Sequence, residues 1–185
     1  LILPDALEKQ EETFPLAVAY CPICHLVQLI HRVPPEKLFS EYLYFSSYSE
    51  SFLSHAKEMA ASLIDSFRLN RESRVLEIAS NDGYLLQYFK QRDIPVLGVE
   101  PAKNIAEEAK RKGIPTIDCF FGPDAVLRIR EAFGLADVVI GNNVLAHVPA
   151  INDFLKAVKA ALAPTGVAVF EFPYLKHLLD RTEFD

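Results

Sequence analysis

Apolar residues in this chain recur at two different spacings, and the changes of spacing mark its elements. Phe52, Ala56, Met59, Ala60, Leu63, Ile64 and Phe67 fall three or four positions apart, which predicts an amphipathic helix over 50–67. Short, mainly apolar runs follow at 75–78, 95–99, 114–117, 136–141 and 167–172. Runs of this length bounded by turn residues predict strands buried on both faces. Between them, Leu85, Leu86 and Phe89 return to helical spacing, and helices are predicted over 102–112, 124–133 and 151–162. Gly113 ends the first of these three, and Pro164-Thr165-Gly166 predicts a turn before the last strand. Strands alternating with helices of 10–15 residues predict an α/β fold with a mostly parallel sheet and helices on both faces. In such sheets ligands bind across the carboxyl ends of the strands.

The first fifty residues follow a different pattern. Residues 1–13 form a polar lead-in, and two short strands are predicted at 16–20 and 26–30, flanking Cys21-Pro22-Ile23-Cys24. Pro34-Pro35 breaks the chain, a short helix is expected over 36–39, and an aromatic stretch with Tyr42, Tyr44 and Tyr48 follows. The domain division expected is therefore a hairpin unit over 1–34, an aromatic linker over 35–50 and a nucleotide-binding α/β domain over 51–185.

Composition narrows the classes of function. At 185 residues the chain can build one core and a small appendage. A net charge of −6 gives no footprint for a nucleic-acid polymer. No apolar run approaches the roughly 18–20 residues that span a bilayer, so a membrane is not expected as a partner. Two of the three cysteines form C-x-x-C, which points to metal or redox use in a cytoplasmic setting rather than to a structural disulfide. The sequence opens on Leu1 and its sole methionine is Met59, so a fragment is expected.

The candidate chemistry gathers at strand ends. Glu77 closes the first buried strand, Asn81-Asp82-Gly83 turns the chain, and Glu100 closes the second strand 23 residues later (100 − 77), one strand–helix–strand unit. An acid at the second tip is where such folds grip the hydroxyls of a ribose. The dinucleotide fingerprint G-x-G-x-x-G is absent, which counts against a nicotinamide dehydrogenase. Phe120 or Phe121, at the third tip, could cover a flat ring; the alternative for at least one of them is core packing. Asn142 and Asn143 are polar where the fourth strand opens, and His147 follows in the next loop as either a catalytic or a structural residue. Cys21 and Cys24 could present two thiolates to one zinc ion, or be a hairpin with two reduced thiols. His25 and His31 could complete a zinc site without being favoured, and Cys119 is remote. The tyrosines are either linker packing or an active-site wall with a hydroxyl for proton transfer.

Two resemblances sharpen this picture. Glu77-x-Ala79-x-Asn81-x-Gly83 resembles the acid-x-Gly-x-Gly-x-Gly loop of class I S-adenosylmethionine (SAM) methyltransferases, with Ala79 and Asn81 in the first two glycine places. CPICHLVQL, YLYFSSYSESF, VLEIASNDGYLLQYF, GVEPAKNIA, FFG, GNNVLAHV and FEFP, in this order, resemble the sugar C-methyltransferases of deoxysugar biosynthesis. The resemblance implies a zinc-binding amino-terminal domain, a SAM-binding Rossmann-like domain and a carboxyl-terminal domain. It implies methylation of the carbon beside the ketone of a nucleotide-linked 4-keto-6-deoxysugar, through an enolate. Carried over by position, Tyr44 and His147 are active-site residues. Glu77, Asn81, Gly83, Glu100 and Asn142 are cofactor positions, and Cys21 and Cys24 are half of a structural zinc site. The family's other C-x-x-C pair would precede Leu1, and its proposed catalytic base would follow Glu183-Phe184-Asp185. The expectation is a chain that binds SAM without turnover. The other readings are a class I methyltransferase for another small molecule and a Rossmann-like scaffold that holds no cofactor.

Overall fold

The computed structural model describes residues 12–40 and 42–183. Most of the expected lead-in, together with Glu41, Phe184 and Asp185, lies outside the described residues. Among the described residues, seven strands form two sheets. β1 (Val18–Tyr20) and β2 (Val27–Leu29) make the small antiparallel hairpin around the cysteines, each strand shorter than its sequence run. The second sheet contains β3 (Val75–Ile78), β4 (Val96–Val99), β5 (Thr116–Ile117), β6 (Ala136–Asn142) and β7 (Leu162–Glu171). Its order is β5-β4-β3-β6-β7, and every pairing is parallel.

The helices cover both faces because the strands offer two apolar faces. Val75 and Val138 point into one layer with Ala56 and Ala60 of α2 (Glu50–Phe67) and Leu86 and Phe89 of α3 (Leu86–Lys90). Leu76, Ile78, Leu97 and Val139 point into the other, against α5 (Pro123–Ala132) and α6 (Ile151–Ala161). Period-two alternation in which both faces are buried is what produces the mainly apolar runs. Chain order reverses beside β3: β4 and β5 continue on one side, β6 and β7 on the other. That switch point opens a crevice at the carboxyl ends.

Three details differ from the sequence expectation. Residues 164–166 lie within β7 rather than in a turn. The register steps from Ala136↔Leu162 to Val138↔Val167, which leaves residues 163–166 bulged opposite Asp137. Gly166 suits this bulge, since a Cβ there would stand 2.7 Å from the Ala136 carbonyl oxygen. The third strand begins two residues late because Ile114 N–H bonds the Ala109 carbonyl at 2.9 Å and Pro115 has no N–H to pair. A seventh helix, α7 (Leu175–Arg181), follows the last strand; its exposed Leu175 and Leu179 gave no clear period in so short a segment. α1 (Pro35–Phe39) and α4 (Lys103–Arg111) lie where expected. No described helix is long and apolar enough to cross a membrane.

Candidate cofactor site

The loop after β3 sets the site. Ala79, Asn81 and Gly83 have φ of 55°, 48° and 79°, so all three alternate positions of the motif are left-handed. Glycine adopts this region freely, Asn tolerates it, and Ala is strained there. The coil brings the loop back over the neighbouring strand: Ser80 N–H donates to the Val99 carbonyl at 3.2 Å. Asn81 N–H donates to Glu100 Oε2 at 3.0 Å, and Ala102 N–H donates to Glu100 Oε1 at 2.9 Å. Glu100 is therefore fixed at the tip of β4, 5% exposed, with a carboxylate that retains unused lone pairs. Burial pushes its carboxyl above the ordinary carboxylate range, against the pull of those two backbone donors.

A cavity of about 720 Å³ opens beside it at the switch point, lined among others by Ala79, Asn81, Glu100, Phe120, Asn142 and His147. Phe121 and Asn143 also reach it. Phe120 is 41% exposed at the cavity wall, whereas Phe121 meets Phe154 edge-on at 5.3 Å, so the pair divides between wall and core. Asn142 Oδ1 is buried without a hydrogen-bond partner, while its Nδ2 lies 3.4 Å from the Tyr84 hydroxyl. An orphaned acceptor on a cavity wall fits a ligand that brings a donor. Asn143 Nδ2 instead donates to Glu171 Oε1 at 3.3 Å, and Glu171 also meets His55 Nε2 at 2.7 Å.

Two of the expected cofactor residues do not line the cavity. Gly83 faces Ile114, and a Cβ on it would stand 2.6 Å from that side chain, so its role is to let the loop pack. Glu77 is 1% exposed, and neither of its carboxylate oxygens has a partner among the described residues. Burial pushes its carboxyl well above the ordinary range, and the charges of Glu100 and Asp82 add to that; the nearby Tyr84 hydroxyl opposes it. Burial, helped by Glu77, pushes the Tyr84 hydroxyl upward as well. The Asn81 side chain also faces away from a ligand role: Oδ1 accepts from Ser46 N–H at 2.9 Å, and Nδ2 donates to the Tyr44 carbonyl at 3.1 Å.

The amino-terminal segment closes the site from above. Tyr44, Tyr42 and Phe39 line the same cavity as His147. Their rings meet edge to face, with centroids 6.5 Å apart for Tyr42–Tyr44, 6.0 Å for Phe39–Tyr42 and 5.6 Å for Phe39–His147. The structure thus brings both expected catalytic residues to the cofactor cavity. Sequence reasoning missed Ser46, Ser47, Asp82, Tyr84, Asn104 and Lys112. Asp82 is fully buried and accepts from Lys112 Nζ at 2.7 Å and from the Ser47 hydroxyl, so it too ties the segment down. Nothing in their spacing announces these contacts, which join positions 30 to 65 residues apart.

The cysteine knuckle presents two thiols on a turn in which His25 N–H donates to the Cys21 carbonyl at 2.9 Å. Hydrogen bonds from the Cys24 and Ile23 backbone hold the Cys21 thiol below its usual range, as suits a metal ligand. A structural zinc takes four ligands, and no group of three candidate ligands occurs among the described residues. His25 is engaged by the Tyr20 hydroxyl, and Cys119 is half-buried in the other unit, where burial pushes its thiol up. Cys21 and Cys24 therefore fit half of a zinc site.

Residues 52–184 match the model of a methyltransferase domain family. The chain belongs to this methyltransferase domain family. Residues 1–39 match a family described as "Putative zinc binding domain". The chain is 37% identical over 175 residues to the C-methyltransferase NovU of Streptomyces niveus, covering 95% of this chain and 42% of that protein. It thus spans less than half the length of that curated relative. A methyltransferase from Clostridium acetobutylicum, described as S-adenosylmethionine-dependent, shares the fold at a TM-score of 0.58 and 13% identity, over 72% of this chain and 55% of that one. So does a protein from Pyrococcus horikoshii, at 0.57 and 19%, over 75% and 62%. The amino pentose methyltransferase CalS10 of Micromonospora echinaspora, solved with SAM bound, follows at 0.51 and 21%, over 72% and 59%.

Proposed function

We propose that this chain is the SAM-binding part of an enzyme that methylates a carbon of a nucleotide-linked 4-keto-6-deoxysugar. The observation that carries the cofactor reading is Glu100: a buried carboxylate fixed by two backbone donors at the tip of β4, open to the cavity. It is placed to accept from paired ribose hydroxyls. Phe120 offers a face for the adenine, and the Asn142 amide oxygen an unpaired acceptor. The cavity walls carry Glu36, Glu100 and Asp153, an acidic set that suits a cationic ligand. Bound there, SAM supplies an electrophilic methyl group, which the acceptor carbon takes up after losing a proton to a base, with S-adenosylhomocysteine released. Tyr44 and His147 line the same cavity, and in this reading their hydroxyl and imidazole hold an enolate oxygen or carry a proton.

Carbon as the acceptor atom is supported by the 37% identity to a C-methyltransferase. The hairpin, in this reading, holds a structural zinc through Cys21 and Cys24 with two further ligands, and the protein works in the cytoplasm. A buried amide oxygen with no partner on a residue of the cavity wall, as at Asn142, argues against a scaffold without a ligand.

The test is calorimetric titration of SAM into this chain and into Glu100→Ala. Binding that is lost in the variant supports the reading. A folded wild-type chain that takes up no SAM overturns it for this chain.

A further inference from the structure

Residues 42–46 cross the cavity mouth without joining either sheet. Their backbone polar groups therefore need partners from elsewhere. Two asparagine side chains supply them. Asn104, in the first turn of α4, holds Tyr42 at both its backbone groups: Nδ2 donates to the Tyr42 carbonyl at 2.7 Å, and Oδ1 accepts Tyr42 N–H at 3.4 Å. Asn81, in the loop after β3, holds the Tyr44 carbonyl at 3.1 Å and Ser46 N–H at 2.9 Å. Asp82 adds the Ser47 hydroxyl to the same set of anchors.

A left-handed φ of 48° would explain Gly or Asn at position 81. It does not explain a side chain 7% exposed whose amide bonds a segment 35 and 37 residues away. Glycine would suit the backbone angle of the loop, but it would leave Asp82 N–H without its Asn81 Oδ1 acceptor at 2.9 Å and release the segment. The same segment carries Tyr44, and through Tyr42 and Phe39 it braces His147.

We infer that Asn81 and Asn104 are positioning residues whose side-chain amides hold the aromatic segment, residues 42–46, over the cavity. The wall that carries Tyr44 and His147 is thereby anchored to the loop after β3 and to the first turn of α4. Glu100, which lines the cavity, also accepts Asn81 N–H at 3.0 Å, so a cofactor held by Glu100 steadies the loop that holds the wall. The coupling to a cofactor rests on the function proposed above; the clasp itself does not.

The test is residue-resolved amide exchange by NMR on the full 185-residue chain, with SAM calorimetry on the same samples. Asn81→Gly is expected to speed exchange at Ser46 N–H about tenfold, as loss of one hydrogen bond does. Asn104→Ala speeds Tyr42 N–H about tenfold and leaves SAM affinity within about threefold of wild type. In wild type SAM slows exchange at Tyr42 and Ser46; in Asn104→Ala the slowing is lost at Tyr42 and kept at Ser46, which Asn81 still holds. Unchanged Ser46 and Tyr42 amides in Asn81→Gly and Asn104→Ala overturn the inference. So does a loss of SAM affinity beyond about tenfold in Asn104→Ala, which would make that amide a cofactor ligand. If wild type binds no SAM, the proposed function fails for this chain, and the clasp is decided by the exchange rates without ligand.

Discussion

Glu100 accepts the backbone N–H of Asn81 at 3.0 Å, which ties the tip of β4 to the left-handed loop after β3. One side chain thus shapes the loop and faces the cavity. Glu100→Gln keeps the size but replaces one accepting oxygen with an NH₂ group, which must then face a backbone donor, either Asn81 or Ala102. The expected cost is about 1–3 kcal/mol of stability, read by urea unfolding. Wild-type stability in this variant would show that the two bonds do not hold the loop.

Glu77 gives a pH dependence of definite sign. Its folded-state pKa is raised by burial, so the native state holds the proton where the unfolded state has released it. Its contribution is fully present below the ordinary carboxylate value and is lost as pH rises through the raised folded value. Glu77→Gln cannot ionise. In the ligand-free protein the variant should gain stability over wild type as pH rises from about 4 towards 8, with little difference at the acid end. Parallel stability–pH curves for the two proteins would sink this account.

Ala79 sits at φ 55°, where a Cβ is unwelcome. Ala79→Gly removes that strain and introduces extra freedom in the unfolded chain, two effects of opposite sign. The left-handed cost of about 1–2 kcal/mol outweighs the glycine penalty of about 0.5–1 kcal/mol. The variant should therefore unfold at slightly higher denaturant, with an unchanged slope.

Gly98 lies in the middle of β4 against the loop. A Cβ there would stand 2.3 Å from Ser80 Oγ and 3.2 Å from Thr116 Oγ1. Gly98→Ala should lose about 1–3 kcal/mol through overpacking. Adding Ser80→Ala removes the nearest atom and should restore part of the loss, a coupling that a double-mutant cycle reads directly.

Lys112 meets the fully buried Asp82 at 2.7 Å. Removing the cation by Lys112→Met leaves a buried carboxylate with the Ser47 hydroxyl as its remaining side-chain partner. A loss of about 2–4 kcal/mol is expected by thermal unfolding, short of a fully enclosed pair because the lysine is 39% exposed. Asp82→Asn combined with Lys112→Met should recover part of it, since no charge then remains buried.

By itself the sequence determined the order of elements, the parallel sheet covered on both faces, and the strand ends near Glu100, Phe120 and Asn142; Glu77, expected at the end of its strand, lies within β3 opposite Gly98. These follow from local period and burial: a strand buried on both faces needs a continuous apolar run, and a polar residue that ends it marks the opening of the sheet. The C-x-x-C pair and the turn at Asn81-Asp82-Gly83 were legible for the same local reason. Tertiary structure decided which of those tips face the cavity. It set Glu77 beneath Tyr84 and Gly83 against Ile114, turned the Asn81 amide towards Tyr44, and drew Tyr44 and His147 to one wall. Only folding could decide this, because the contacts join residues with no periodic relation, and a side chain's role depends on which distant backbone donor or acceptor still lacks a partner.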